Sequence, residues 1–103
     1  MMIKMKKEND HVFFVEDLVT RIGAEEVGFL KKKVLQTQRK TIRLCMHKNV
    51  EDAVQEMLIL HSKETYIRPH KHIHKSVSYH IIEGEADMIL FDEEGSIIDM
   101  IPL

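Results

Sequence analysis

The sequence lacks several features that would place it in a specialised class of protein. Its 103 residues include a single cysteine, Cys45, so no internal disulfide can form, and a reducing compartment is expected. The formal net charge is only -2 and acidic and basic residues are interleaved, which argues against a dedicated nucleic-acid binder. No apolar run approaches membrane-spanning length, so no membrane partner is expected. What remains is one small domain with a modest core.

The N-terminal residues also lack the pattern of a secretion signal. Lys4, Lys6 and Lys7 are followed by Glu8-Asn9-Asp10, where a signal peptide needs an apolar segment. The sequence therefore predicts a cytoplasmic location. No linker rich in Pro, Gly or Ser, no internal repeat and no low-complexity segment interrupts the chain.

The period of the apolar residues changes once along the chain. Residues 11–15 are predicted as a short strand, and residues 24–38 have apolar side chains at helical spacing, with acidic residues first and lysines last. From Thr41 onward the period is two, and the predicted strands are residues 41–46, 54–61, 65–68, 76–82, 85–91 and 96–101. Turns are predicted at Lys48-Asn49, Ser62-Lys63-Glu64, Glu83-Gly84 and Asp92-Glu93-Glu94-Gly95. This pattern predicts a sandwich or barrel over residues 39–103, with residues 1–38 as a strand and helix packed on it.

Three histidines, His70, His72 and His74, stand at alternate positions in the chain. On an extended strand, side chains two residues apart leave the same face, so these imidazoles would converge on one point. Convergent imidazoles are what a transition-metal ion requires, and all three are predicted metal ligands. The alternative is an exposed polar cluster that binds no ion, because isolated His-x-His pairs are common.

The residues around these histidines carry a resemblance to a known family. A His-x-His pair, then a strand, then the glycine turn Ile82-Glu83-Gly84-Glu85 resembles the first cupin motif. From Arg39 to Ile101 the chain is similar to cupin-fold metalloproteins of the WbuC type, small bacterial proteins associated with surface-polysaccharide gene clusters. The similar stretches are Arg39-Lys40-Thr41-Ile42-Arg43-Leu44-Cys45-Met46-His47, Glu56-Met57-Leu58-Ile59, Tyr66-Ile67-Arg68-Pro69-His70-Lys71-His72, Lys75-Ser76, His80-Ile81-Ile82-Glu83-Gly84-Glu85 and Phe91-Asp92-Glu93-Glu94-Gly95-Ser96-Ile97.

The resemblance implies a mainly β fold, a cupin-like antiparallel barrel of the jelly-roll type with an amphipathic N-terminal helix. It also implies a divalent transition metal such as Zn, Mn, Fe or Ni. Two departures predict a weak site and an incomplete barrel. Val77 occupies the position of the family's glutamate ligand, and the chain ends at Leu103, before the second motif with its further histidine.

A second group of residues is suited to an anionic ligand. Arg43 and Arg68 could clamp a phosphate or carboxylate through paired donors, and the resemblance implies a sugar phosphate or nucleotide sugar. Tyr66 and Tyr79 could stack on a sugar ring, and Glu56 could be an inward carboxylate. The alternatives are solvated surface charges for the charged residues and ordinary packing for the tyrosines.

The leading functional interpretation is a metal-binding protein related to bacterial surface-polysaccharide (O-antigen) sugar metabolism, of unknown reaction. No nucleophile with a matching base can be recognised, so the sequence leaves open whether the protein is an enzyme. One alternative is a metal-free binding module for an anionic sugar or sugar nucleotide. Another is a degenerate cupin that acts through strand-edge dimerisation, because the apolar strand at residues 96–101 would leave an open edge and favour a homodimer.

Overall fold

A computed structural model describes residues 2–63 and 65–103 of the chain. These residues form a mainly β structure, as the sequence predicts, with two compact units, one up to Tyr66 and one from Ile67 to Leu103. The elements are β1 (Met5–Asn9), β2 (Val12–Val15), α1 (Ala24–Val34), β3 (Thr41–Cys45), β4 (Met57–His61), β5 (Asp87–Phe91) and β6 (Ile97–Pro102). No closed barrel is present among the described residues.

The first unit is a four-stranded sheet in the order β1-β2-β3-β4. The β1–β2 and β3–β4 pairs are antiparallel, whereas β2 and β3 run parallel. A parallel pair needs a crossover connection, and α1 lies in the chain between these two strands. The sequence analysis placed residues 1–38 as a segment packed on an antiparallel barrel, whereas β2 is itself a strand of the sheet, parallel to β3, because the helix returns the chain to the end of the sheet where β2 began.

The core of the first unit lies between α1 and one face of the sheet. In β2 and over residues 41–44 of β3 every second side chain is buried, the period expected for a sheet covered on one side, and Cys45 at the end of β3 is buried as well. The buried cluster consists of Phe13, Val15, Leu30, Val34, Ile42 and Leu44. Burial of each such side chain is worth about 1.5–3 kcal/mol, so this cluster is the main source of stability in the unit.

The helix begins at Ala24 as predicted and ends at Val34, four residues before the predicted end. At its start, the Glu26 carboxylate accepts hydrogen bonds from the backbone N–H groups of Gly23, at 2.7 Å, and Ile3, at 3.2 Å. At its end, the Thr37 hydroxyl donates to the Val34 carbonyl oxygen at 2.9 Å. This bond satisfies one of the carbonyl groups that a helix end leaves free, so the helix can end there.

The second unit contains the antiparallel β5–β6 hairpin, close to the strands predicted at residues 85–91 and 96–101. The predicted turn between them is confirmed. Asp92 Oδ1 accepts the N–H groups of Glu94 and Ser96, each at 2.9 Å, and Gly95 has a φ of 87°. A positive φ of this size favours glycine, so the turn is encoded locally.

The strands predicted at residues 65–68 and 76–82 are wrong, because the structure assigns no strand to either range. Alternating apolar residues are present there, but a strand also needs a ladder partner, and β5 and β6 form a sheet of two strands. Pro69 further removes one backbone donor after the first range. The turn predicted at Ser62-Lys63-Glu64 includes Glu64, which lies outside the described residues. No helix in the described part of the chain is long and apolar enough to cross a membrane.

Candidate functional site

His70 and His72 lie side by side in the second unit. Their ring centroids are 5.1 Å apart and the rings are perpendicular. The Nδ1 atom of His70 is 2.8 Å from the carbonyl oxygen of Arg68. Because a carbonyl only accepts hydrogen bonds, Nδ1 carries the proton and the lone pair of the neutral ring lies on Nε2. This is the arrangement that orients a histidine for metal binding through Nε2.

His74 departs from the predicted alternation. Its φ is 64°, in the left-handed region, and residues 70–74 do not belong to a strand. The same-face array of three imidazoles that an extended backbone would create is therefore not formed. Across residues 2–63 and 65–103, no three His, Cys, Asp or Glu side chains are gathered as a metal-binding group. Val77, at the position of the expected carboxylate, is 45% exposed.

An ion pair links residues 70–74, which we call the histidine segment, to the β5–β6 turn. Lys71 Nζ lies 3.1 Å from both carboxylate oxygens of Glu93. Both side chains are exposed, so the pair contributes little to stability. It does bring the residue between the two histidines to the turn that follows β5.

The residues predicted to bind an anionic ligand belong to different units. Arg43 is half-buried on β3 and Glu56 is exposed just before β4, both in the first unit, where Tyr66 is the last residue. Arg68 and Tyr79 are exposed in the second unit. Of these five residues, Arg43 has the most constrained surroundings.

Arg43 projects from the face of the sheet opposite α1. Cross-strand register pairs Thr41 with His61, Arg43 with Ile59 and Cys45 with Met57. On the other side, Val12 and Phe14 of β2 pair with Arg43 and Cys45. We call this surface the open face, and its residues are Val12, Phe14, Thr41, Arg43, Cys45, Met57, Ile59 and His61.

At one end of the open face, a hydrogen-bond chain fixes the tautomer of His61. The Thr41 hydroxyl donates to the Leu60 carbonyl oxygen at 3.0 Å. With its one proton used there, the hydroxyl accepts from His61 Nδ1 at 2.6 Å. Burial, reinforced by the charge of Arg43, lowers the pKa of His61 below its ordinary 6.5. His61 is therefore neutral at pH 7, with an unprotonated Nε2.

Arg43 lacks an acidic partner on the open face. Its Nη1 atom lies 3.9 Å from the sulfur of Met57, a weak acceptor, and no carboxylate pairs with its guanidinium among the described residues. Burial raises the pKa of the neighbouring Cys45 thiol, opposed only in part by the Arg43 charge. The thiol is 3% exposed and protonated, so Cys45 packs as a small apolar residue and is not a nucleophile.

Two further histidines, His61 and His47, have defined surroundings that the sequence did not predict. His47 is buried, its Nδ1 accepts the N–H of Glu56 at 3.2 Å, and its ring packs edge-on to Phe14 at 5.8 Å. Through these contacts His47 joins the loop before β4 to the sheet. His61 differs, because in the part of the chain that the structure describes its Nε2 makes no such bond. The sequence feature that bears on His61 is Thr41, which lies opposite it on the neighbouring strand.

An open groove of about 410 Å³ adjoins the open face, because Val12 and Phe14 line both. Its remaining walls come from the β1 end of the sheet and the loop after β3, namely Lys6, Glu8, Asn9, Lys48, Asn49 and Val50. The first unit therefore offers a concave, partly cationic surface on the side away from the helix.

The fold and its histidines define a small, mainly β protein with a helix-backed sheet. Residues 22–103 match the family described as Domain of unknown function (DUF6016), and since this range is most of the chain, the protein belongs to that family. The matched range includes the histidine segment together with Arg43 and His61, and excludes β1 and β2. Searches of curated proteins and of solved structures returned no match.

Proposed function

We propose that this chain is a metal-binding protein of the WbuC-like cupin type, related to bacterial surface-polysaccharide sugar metabolism, with His70 and His72 as ligands of a divalent transition metal. The observation that supports this most directly is the hydrogen bond from His70 Nδ1 to the Arg68 carbonyl oxygen, at 2.8 Å. It leaves Nε2 for an ion, and the ring of His72 is 5.1 Å away by centroid.

The proposed metal site is weak. Two imidazoles leave at least two positions of a tetrahedral ion to water, and Val77 offers no donor atom. His74, the third ligand predicted from the sequence, could join the two only if its backbone became extended. A left-handed φ is uncommon for a residue other than glycine, so an ion that bound His74 would also favour a return to extended backbone there. Zn, Mn, Fe and Ni all accept imidazole ligands.

The cupin barrel and the link to polysaccharides depend on the resemblance of residues 39–101 to that family. The mainly β structure is consistent with the fold part of this proposal, as is the glycine turn, where Gly84 has a φ of 87°. The jelly roll itself is part of the proposal.

Titration calorimetry with Zn, Mn, Fe and Ni tests the metal site. Wild type should bind at least one ion weakly, His72→Ala should lose binding, and Val77→Glu should bind at least tenfold more tightly because it restores an anionic ligand. His80→Ala is the matched control, since His80 is exposed and outside the histidine segment. Equal binding by wild type, His72→Ala and Val77→Glu would refute the site.

We also propose that β6 pairs with β6 of a second copy about a two-fold axis. Ile97, Ile98 and Met100 are 60%, 63% and 57% exposed, and β6 has β5 as its one ladder partner among the described residues. A free strand edge beside apolar side chains favours pairing with another strand. Light scattering from micromolar to millimolar protein should show a dimer that Ile98→Lys converts to monomer, whereas Lys63→Ala should not. A wild-type monomer throughout would exclude this assembly.

A further inference from the structure

Among the described residues, Arg43 is a cation without an acidic partner, and apolar side chains lie on either side of it. Register places Val12 of β2 and Ile59 of β4 on its two sides. Its guanidinium has five N–H donors, and the contact that the structure gives it is the Met57 sulfur at 3.9 Å. A half-buried cation gains most from an ionised acceptor, and two parallel hydrogen bonds to a carboxylate or phosphate match its shape.

A hydrogen-bond acceptor of fixed orientation lies beside this cation. Arg43 is paired with Ile59, and His61 is two residues further along β4, so Arg43 and His61 are diagonal neighbours on the same face. Diagonal neighbours in an antiparallel pair are about 7–8 Å apart, within reach of long side chains. The bond from His61 Nδ1 to Thr41, at 2.6 Å, leaves Nε2 as an acceptor. The guanidinium donors of Arg43 and the Nε2 acceptor of His61 thus lie on the same face of the sheet.

We propose that the open face binds a small hydroxylated anion, with its carboxylate or phosphate on the Arg43 guanidinium and its neighbouring hydroxyl donating to Nε2 of His61. The apolar side chains of Val12 and Ile59 bound the ligand on either side. This site shares no residue with the proposed metal site, since all of its residues belong to the first unit.

The chemistry selects against other occupants of this site. A cation is repelled by Arg43, and an anion without a hydroxyl leaves Nε2 of His61 without a donor. A carboxylate and a phosphate both satisfy the guanidinium, so they share one recognition chemistry and are separated only by measured affinity.

Two probe pairs that differ by one hydroxyl group test the proposal, lactate against propionate and 2-hydroxypropyl phosphate against propyl phosphate. Within each pair the hydroxylated probe should bind wild type about fivefold more tightly, as expected for one hydrogen bond. Arg43→Lys should weaken all four probes at least tenfold, because the planar fork is lost although the charge remains. His61→Phe should abolish the hydroxyl preference and leave the affinity for propionate unchanged. The better-bound pair identifies the charged group.

Matched controls keep these outcomes interpretable. Arg39→Lys changes an exposed arginine outside the open face and should alter no affinity, and His80→Phe should preserve the hydroxyl preference. Circular dichroism and the unfolding midpoint of each variant establish that it is folded. If Arg39→Lys weakened binding as much as Arg43→Lys, the attraction would be unspecific and the proposal would be overturned. A hydroxyl preference that survives in His61→Phe would overturn it as well.

Discussion

The two compact units differ in what they do with their apolar side chains. In the first unit, Ile42 is completely buried under α1, and Leu30 of the helix is equally inaccessible. In the second unit, none of the described residues from 67 to 103 is buried, and Ile98 of β6 is 63% exposed. Both units have strands rich in isoleucine and leucine. Apolar strands are thus insufficient for a core, and a covering layer is needed.

The physical basis of this difference is the number of layers. A four-stranded sheet with a helix on one face has two layers that exclude water between them. A two-stranded hairpin by itself has one layer and is marginally stable in water. The first unit should therefore account for most of the free energy of unfolding, which the following substitutions test.

The largest effect is expected from a pair of isoleucine truncations. Ile42→Ala should lower the free energy of unfolding by about 3–4 kcal/mol, because it opens a cavity in the core of the first unit. Ile82→Ala should change it by less than about 0.5 kcal/mol, since Ile82 is 76% exposed in the second unit. Urea denaturation of both variants measures the difference. Equal losses of unfolding free energy in the two variants would mean that the two units contribute equally to stability.

A smaller loss is expected where Glu26 joins the helix to the N-terminal residues. Glu26→Ala removes the acceptor of the Gly23 and Ile3 N–H groups and should lower the thermal midpoint by about 5 °C. Glu16→Ala, at an exposed site in the same unit, should leave the midpoint unchanged. Calorimetry at pH 7 is the measurement. Indistinguishable midpoints for the two variants would contradict this role.

The same contact predicts a dependence on pH. The Gly23 N–H, aided by that of Ile3 and opposed by burial, holds the pKa of Glu26 below its ordinary 4.5. A lowered carboxyl pKa contributes stability that is complete above 4.5 and is lost as the pH falls through the folded-state pKa. The difference in midpoint between wild type and Glu26→Gln should therefore shrink below pH 4.5. A constant difference down to pH 2 would argue against it.

The smallest effects are expected at two glycines, one in each unit. Gly28→Ala should stabilise the protein by about 0.5–1 kcal/mol, because this helical position has open space for a Cβ atom. Gly95→Ala should destabilise the hairpin by about 1 kcal/mol, because its φ of 87° is strained for alanine although space is equally open. Denaturation midpoints that shift in the same direction would contradict the assigned backbone roles.

Much of the local structure was predictable from sequence. The helix start at Ala24 and the strand at Thr41–Cys45 follow from periodicity, and the turn at Gly95 follows from its composition. The strand Met5–Asn9 was not predicted, because its lysines and Glu8 hide the alternation until β2 pairs with it. The parallel β2–β3 pair was not predictable either, since local patterns do not specify which distant strand becomes a neighbour.

The candidate sites divide in the same way. Spacing in the sequence singled out His70 and His72, and the structure places their rings in contact. The spacing did not predict the left-handed backbone of His74, because that conformation depends on a segment that pairs with no strand among the described residues. His61 was overlooked because its tautomer is set by Thr41, a residue 20 positions away in the chain.

Features that depend on neighbouring residues could be predicted from the sequence, namely the helix, most strands, the glycine turn and the histidine pair. The contacts between distant segments show which apolar strands are covered, which strand pairs in parallel with β2, and that Arg43 and His61 lie on one face. The reason is physical. Backbone preferences and side-chain period act over a few residues, whereas burial and cross-strand register depend on segments that are distant in the chain.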